Sequence, residues 1–206
     1  MIPSSARPVP SGEGHLTDDE DRSGRDALCR LAGAALAYPS TVELFGQGDK
    51  ASDVYLIDDG MVKLIHIGEN GQEMIVGLRA SGTLLGSAAV ITGEEYPVSA
   101  VTLIPSRLYR IPAAAFLQLM NINPVVSHYL LRQEGKEILA QLGQLSGFGL
   151  SAQQRLERLL EQLAQAVNNA DGSRPIRLPL VLKQWELAQL VAVTPQHLSR
   201  LMKKMK

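Results

Sequence analysis

The chain has 206 residues, of which 45% are hydrophobic, and its formal net charge is −1. This composition can build one large or two modest globular domains, and it excludes a polycation that holds nucleic acid through its overall charge. A single cysteine, Cys29, excludes an internal disulfide and a four-thiolate iron–sulfur cluster. Without a run of 18 apolar residues or a signal-peptide pattern, we expect a cytoplasmic protein that has no membrane partner.

Charge is distributed unevenly along the chain. Residues 1–28 carry six acids and three arginines, whereas residues 151–206 carry nine Lys or Arg and four acids. Residues 1–27 are rich in Pro, Ser, Gly and acids, a composition that predicts a disordered tail. Residues 28–38, LCRLAGAALAY, have the composition of a short helix.

Short β-rich runs alternate with glycine-containing turns from Thr41 to Ile111. Such spacing predicts an antiparallel barrel or sandwich. The sequence ENG at 69–71 indicates a hairpin, since Asn-Gly tolerates the positive φ angles of a type I′ turn. Pro112 then opens a helical run that stops near Asn123. We therefore predict an α+β protein whose β-barrel sensor domain spans residues 28–122.

A long helix is predicted to follow within residues 123–149. Apolar and small residues step by three and four along it, as in an a/d heptad seam. The helix could pack on its own barrel, but the length of the stripe favours a second, equal helix and hence a homodimer. GFG at 147–149 then indicates a hinge. The predicted seam also contains His128 and Gly135, and its proposed dimer contacts are Leu131, Ile138, Leu142 and Leu145.

Residues 150–206 contain a candidate helix-turn-helix. Ser151 and Gln154 form a capping box for the helix that opens this region. Residues 183–192, KQWELAQLVA, are predicted as the first helix of the motif, and Thr194 with Pro195 opens its second helix. Two amphipathic helices could instead simply pack together, with solvated lysines on the outside. The predicted DNA-facing residues are Thr194, Gln196, His197, Ser199, Arg200, Lys203 and Lys204.

In this order, the elements resemble the CRP/FNR family of bacterial transcription regulators, the relatives of the cAMP receptor protein. The resemblance covers about residues 28–206. It implies a cyclic-nucleotide-binding-like jelly roll, a dimer on double-stranded DNA, and RNA polymerase as a further partner. The family's wing after the recognition helix has no counterpart before Lys206, so we expect weakened DNA binding. The barrel residues that carry the resemblance are Leu44-Phe45, Gly48-Asp49, Val54-Tyr55, Gly60, Val62-Lys63-Leu64, Gly71, Gly82 and Gly86.

The resemblance places an effector site at residues 82–100. Family members that bind cAMP carry Glu after the glycine and an Arg-Ser-Ala triplet, whereas this chain has Ser87 and Val98. Because valine cannot replace a guanidinium–phosphate contact, we expect poor cAMP binding and leave the effector and any cofactor unidentified. The predicted effector-binding residues are Gly86, Ser87, Ala88, Val98 and Ser99.

The sequence gives little support for a haem site, a metal site or an enzyme active site. His66 and His128 are single histidines, which are more often structural or surface residues than haem ligands. There is no metal-spaced cluster, GxSxG or P-loop lysine, so we predict neither an enzyme nor a metal site, and a cupin-like enzyme is disfavoured. The prediction is a DNA-binding transcription regulator; the alternative is a sensing or protein-interaction module of this fold that does not bind DNA.

Overall fold

A computed structural model describes residues 18–146, 149–168 and 182–204. In these ranges a β-barrel lies between helices from both ends of the chain, and none of the helices is long and apolar enough to cross a membrane. The strands are β1 (Leu36–Tyr38), β2 (Glu43–Phe45), β3 (Asp53–Asp59), β4 (Met61–Ile67), β5 (Glu73–Ala80), β6 (Leu84–Leu85), β7 (Ser99–Thr102) and β8 (Ser106–Pro112). The helices are α1 (Asp18–Ala32), α2 (Ser87–Thr92), α3 (Ala113–Ile122), α4 (Pro124–Ser146), α5 (Ala152–Asn168), α6 (Gln184–Leu190) and α7 (Pro195–Lys204).

The barrel is a jelly roll of two four-stranded antiparallel sheets. Their strand orders are β1-β8-β3-β6 and β2-β7-β4-β5. Side chains alternate between the two faces of each strand. In β3, Val54 and Leu56 pack against the helices, while Tyr55 and Ile57 fill the space between the sheets. The predicted antiparallel barrel is therefore confirmed.

The predicted hairpin at 69–71 joins β4 and β5, but its turn type differs from the prediction. Only Gly71 has a positive φ, of 74°, whereas a type I′ turn needs positive φ at two residues. The Gly71 N–H donates to the Gly68 carbonyl, and the Gly68 N–H donates to the Gln72 carbonyl. The longer connection places a single left-handed residue after the turn, and glycine occupies that position.

The predicted tail over residues 1–27 is wrong from Asp18 onward, where α1 begins. Its acidic composition resembles that of disordered chains, but Asp21 forms ion pairs with Arg132 and Lys136 of α4. Leu28 is fully buried against α4 and the barrel. Residues 1–17 lie outside the described residues. Long-range contacts therefore stabilise a helix that composition alone disfavours.

The predicted helix over 28–38 is also wrong in its second half. The α1 helix stops at Ala32, because Gly33 adopts a left-handed conformation with φ 81°. Leu36 and Tyr38 then pair with Leu108 and Ser106 of β8. An available strand edge decides the structure of this short apolar run.

Helices α1 and α4 cross closely at Gly24. A Cβ added at Gly24 would lie 2.5 Å from the Cβ of Tyr129. We expect Gly24→Ala to lower the free energy of unfolding by about 1–3 kcal/mol, because this contact leaves no room for a methyl group. Chemical denaturation measures the change, and Ser23→Ala, at the exposed neighbouring residue, should change stability by less than about 0.5 kcal/mol. Equal effects of the two variants would contradict a tight crossing.

The C-terminal helices pack on the outer face of the β4–β5 sheet. Met61, Ile75 and Leu103 of the barrel share one apolar cluster with Leu156 and Leu187. The predicted capping box is present at the start of α5: the Gln154 N–H donates to Ser151 Oγ at 3.2 Å, and the Ser151 N–H donates to Gln154 Oε1 at 2.9 Å. Helix α4 lies within the predicted range 123–149, whereas residues 147 and 148 of the predicted hinge lie outside the described residues.

Candidate functional site

A cavity of about 1040 Å³ lies between the barrel and α4, and α1 contributes to its rim. The barrel contributes an apolar wall that includes Leu64, Val76 and Leu85. The helices contribute mostly charged side chains. The volume of the cavity and its partly apolar, partly charged lining suit a small molecule with an apolar body and a few polar groups.

Four of the five predicted effector residues line this cavity: Gly86, Ser87, Ala88 and Val98. Ser99 does not. It is buried in β7, where its Oγ accepts a hydrogen bond from the Gln47 N–H at 2.9 Å. Because side chains in a strand alternate in direction, Ser99 forms part of the barrel wall and does not line the cavity.

The turn at Gly86 needs glycine for two reasons. Its φ is 77°, and a Cβ there would lie 2.7 Å from Tyr96 Cε1. Tyr96 is held in turn by Asp53, since its hydroxyl donates to the Asp53 carbonyl at 2.6 Å and accepts from the Asp53 N–H at 3.1 Å. This tyrosine fixes the position of the segment that leads into α2.

Asp53 supports this arrangement through its own ion pair. Its carboxylate accepts a hydrogen bond from Arg110 at 2.8 Å. Burial opposes ionisation of Asp53, but hydrogen bonds from Arg110 and Ser52 outweigh it and hold the pKa below its usual value. The carboxylate is therefore charged at neutral pH.

Two carboxylates of α4 reach into the cavity. Glu134 Oε1 accepts a hydrogen bond from Ser87 Oγ at 2.6 Å, and Glu137 forms an ion pair with Arg79. In the part of the chain that the structure describes, no Lys, Arg or His nitrogen lies within 4.0 Å of the Glu134 carboxylate. The carboxylate beside Ser87 is thus satisfied by a hydroxyl rather than by a cation.

The charges that line the cavity balance. Asp21, Asp26, Glu134 and Glu137 face Arg22, Arg25, Arg79 and Lys136. Arg79 is already paired with Glu137, and Lys136 lies 3.3 Å from Asp21. Arg25 lies 3.2 Å from Asp58, whereas Arg22 is exposed and forms no ion pair within 4.0 Å with another described residue. A phosphate could therefore meet Arg22 at the rim, but at Arg79 and Lys136 it would have to displace a carboxylate.

Sequence reasoning missed Arg79, Glu134 and Glu137. Glu134 and Glu137 are three residues apart and so share one face of α4. That spacing was a detectable signal, but the cavity they face is formed by the barrel, and only the fold shows it. Tyr129 also lines the cavity, and burial raises its pKa to about 12, so it stays neutral near pH 7.

A neighbouring face of α4 presents apolar side chains to solvent. Leu131, Ile138 and Leu142 of the predicted seam are 71%, 57% and 54% exposed. Leu139, which the seam prediction omitted, is 69% exposed. The side chain of Leu145 lies outside the described residues. Large aliphatic groups that remain this accessible along one helix mark a candidate interaction surface.

Helices α6 and α7 are joined by a tight turn. Ala192 has a φ of 53°, a left-handed conformation that costs a non-glycine residue roughly 1 kcal/mol. Thr194 Oγ1 accepts a hydrogen bond from the His197 N–H at 3.2 Å and thereby caps α7 as predicted. Leu187 and Ala188 of α6 are buried against Leu198 of α7. The turn and this apolar contact set the angle between the two helices.

The polar face of α7 is open to solvent. Six of the seven residues predicted to face DNA are exposed, and Ser199 is half-buried. The exposed six are Thr194, Gln196, His197, Arg200, Lys203 and Lys204. The first turns of α7 thus offer hydrogen-bonding side chains, and its last turn offers cations.

Comparison with known proteins adds to this geometry. The cyclic nucleotide-binding domain family matches residues 36–123, which contain the barrel and α3. The fumarate and nitrate reduction regulatory protein of Vibrio cholerae is 27% identical over 161 residues, which cover 78% of this chain and 64% of that protein. The cAMP-activated global transcriptional regulator CRP of Pasteurella multocida is 25% identical over 171 residues, which cover 81% of this chain and 79% of that protein.

The chain belongs to the CRP/FNR family. Its homologues are transcription regulators, and none of those named is an enzyme. This CRP/FNR-family chain also resembles the solved structure of the c-di-GMP responsive global regulator CLP of Xanthomonas campestris, with a TM-score of 0.66. The match covers 89% of this chain and 91% of that one at 22% identity, and at that identity it concerns the fold alone.

Proposed function

We propose that this chain is a homodimeric, sequence-specific DNA-binding transcription regulator that responds to a small molecule in the cavity between barrel and α4. The observation that carries the proposal is the exposed polar face of α7 on a helix pair with a buried apolar contact. A helix presented in this way can enter the major groove, where its N-terminal side chains reach base edges and its terminal lysines meet phosphates. Membership of a family of transcription regulators supports the proposal that α7 binds DNA.

The dimer would form through α4. Leu131, Ile138 and Leu142 follow the heptad spacing of a two-helix seam, and burying them against a second copy removes apolar surface from water. A two-fold pair would also present two α7 helices to one duplex, which suits a palindromic operator.

DNA binding tests the proposal directly. Fluorescence anisotropy on a pool of genomic DNA fragments, at several salt concentrations, should reveal fragments that bind well above the nonspecific background. If no fragment does so even at low salt, the regulator proposal fails, and a sensing or protein-interaction module of this fold takes its place.

The effector is expected not to be cAMP. Val98 offers no guanidinium, Arg79 is paired with Glu137, and Glu134 would repel a phosphate placed near Ser87. Calorimetric titration should therefore show no cAMP site of micromolar affinity, and cAMP should bind no more tightly than adenosine, which lacks the phosphate. If cAMP binds with micromolar affinity and adenosine does not bind, the cavity recognises the phosphate and this expectation is wrong.

A further inference from the structure

Strands β4 and β5 separate the cavity from the C-terminal helices. On one face of these strands Leu64, Val76 and Arg79 line the cavity. On the other face, Met61 and Ile75 belong to the apolar cluster of the C-terminal helices. Neighbouring residues of one hairpin therefore contact the cavity on one side and α5–α7 on the other.

A buried ion pair joins the outer face of this hairpin to α6. Lys63 Nζ lies 2.6 Å from Glu186 Oε1, and Glu186 is only 2% exposed. The second oxygen of Glu186 accepts the Lys183 N–H at 2.6 Å, at the start of α6. Both carboxylate oxygens of Glu186 are therefore bonded. The Lys63 ammonium offsets the cost of burying this charge only while α6 lies against β4.

A second contact satisfies the backbone of β5, which is an edge strand of its sheet. Gln189 Oε1 accepts a hydrogen bond from the Ile75 N–H at 3.2 Å, and Gln189 Nε2 donates to the Glu73 carbonyl at 3.3 Å. One α6 side chain thus continues the hydrogen-bonding pattern at a free sheet edge.

Helix α7 packs directly on α6. Leu198 and Leu201 pack with Leu187 and Ala188, and the Val193 N–H donates to the Ala188 carbonyl at 2.9 Å. A displacement of α6 therefore carries α7 with it.

We propose that the outer face of β4–β5 is an intramolecular docking site for α6, with Lys63 and Gln189 as positioning residues. A small molecule bound in the cavity would then change the position of α7 through this hairpin. The effect on DNA rests on the function proposed above, but the docking contact itself can be measured without DNA.

Amide hydrogen exchange tests the docking in the full chain. Lys63→Met leaves Glu186 without its cation, and Gln189→Ala removes the partner of the Ile75 amide. We expect either variant to speed exchange at Ile75 at least tenfold while Leu56 and Leu108, in the opposite sheet, keep their rates. Lys50→Met, at an exposed lysine, is the matched control and should leave Ile75 unchanged. An unchanged Ile75, or equal acceleration throughout the barrel, overturns the docking site.

Trp185 gives an independent readout, since it is the only tryptophan and adjoins Glu186 on α6. Its quenching by acrylamide should increase in Lys63→Met and Gln189→Ala but not in Lys50→Met. Equal quenching in all three variants contradicts undocking.

Added bulk in the cavity tests the coupling. Leu64→Phe on β4 should change exchange at Ile75 at least threefold, whereas Ala88→Phe, which adds a ring to the same cavity from α2, should not. Equal effects of the two variants overturn transmission through the hairpin.

DNA titrations separate this inference from the proposed function. If the wild type binds specific DNA, Lys63→Met should change that affinity at least fivefold, and an affinity within twofold overturns the coupling. If no variant binds DNA while Ile75 and Trp185 respond as expected, the docking site stands and the proposed function falls.

Discussion

Replacing Leu142 with aspartate is expected to convert a dimer into a monomer. In the proposed seam the two copies of Leu142 would lie close together, and burying an unpaired carboxylate costs several kcal/mol per ion. Analytical ultracentrifugation of wild type and variant measures the change in oligomeric state.

Leu36→Asp is the matched control, because Leu36 is a similarly accessible leucine, 47% exposed on β1. It should leave the dimer intact. If Leu142→Asp sediments like the wild type, the exposed stripe of α4 is not the contact between copies, and α4 serves only to close the cavity of its own chain.

Replacing Arg200 with alanine is expected to weaken binding to the cognate site by about 1–3 kcal/mol, or roughly 5- to 150-fold, and to relax specificity at one base pair. Arg200 is exposed on α7, where a guanidinium can donate two hydrogen bonds to a guanine. Anisotropy titrations with the selected fragment and its single-base variants measure both effects.

Lys203→Ala should behave differently. A lysine at a phosphate weakens all sequences alike, and its loss should reduce the slope of log affinity against log salt by about one unit. Arg158→Ala, at an exposed arginine of α5, controls for the loss of a positive charge and should change neither quantity appreciably. If Arg200→Ala and Arg158→Ala have equal effects, α7 does not read bases.

Several parts of the fold could be read from local sequence. The alternation of apolar runs and glycines predicted the barrel, because side-chain direction in a strand repeats every two residues. Ser151 with Gln154, and Thr194 with Pro195, marked helix starts, since a cap depends only on residues within one turn. Gly86 and Ser87 were placed at the candidate site by resemblance, and they line the cavity.

Local signals failed where distant contacts decide the structure. Residues 18–27 have the composition of a tail, yet Asp21 and Leu28 hold α1 against α4, a helix about a hundred residues away in the chain. The predicted effector site includes Ser99, but in the strand its hydroxyl accepts a hydrogen bond from the Gln47 N–H instead.

The sequence by itself determined the succession of barrel strands after Thr41, the caps of α5 and α7, the apolar stripe of α4 and the polar face of α7, because each depends on residues a few positions apart. Only the tertiary structure decided that Glu134 faces Ser87, that Glu137 pairs with Arg79, and that Lys63 meets Glu186 across 123 positions of sequence. The sequence around a charged residue does not indicate which distant residue it will pair with. Its pairing follows from the packing of whole elements, which brings the two groups together where water no longer screens them.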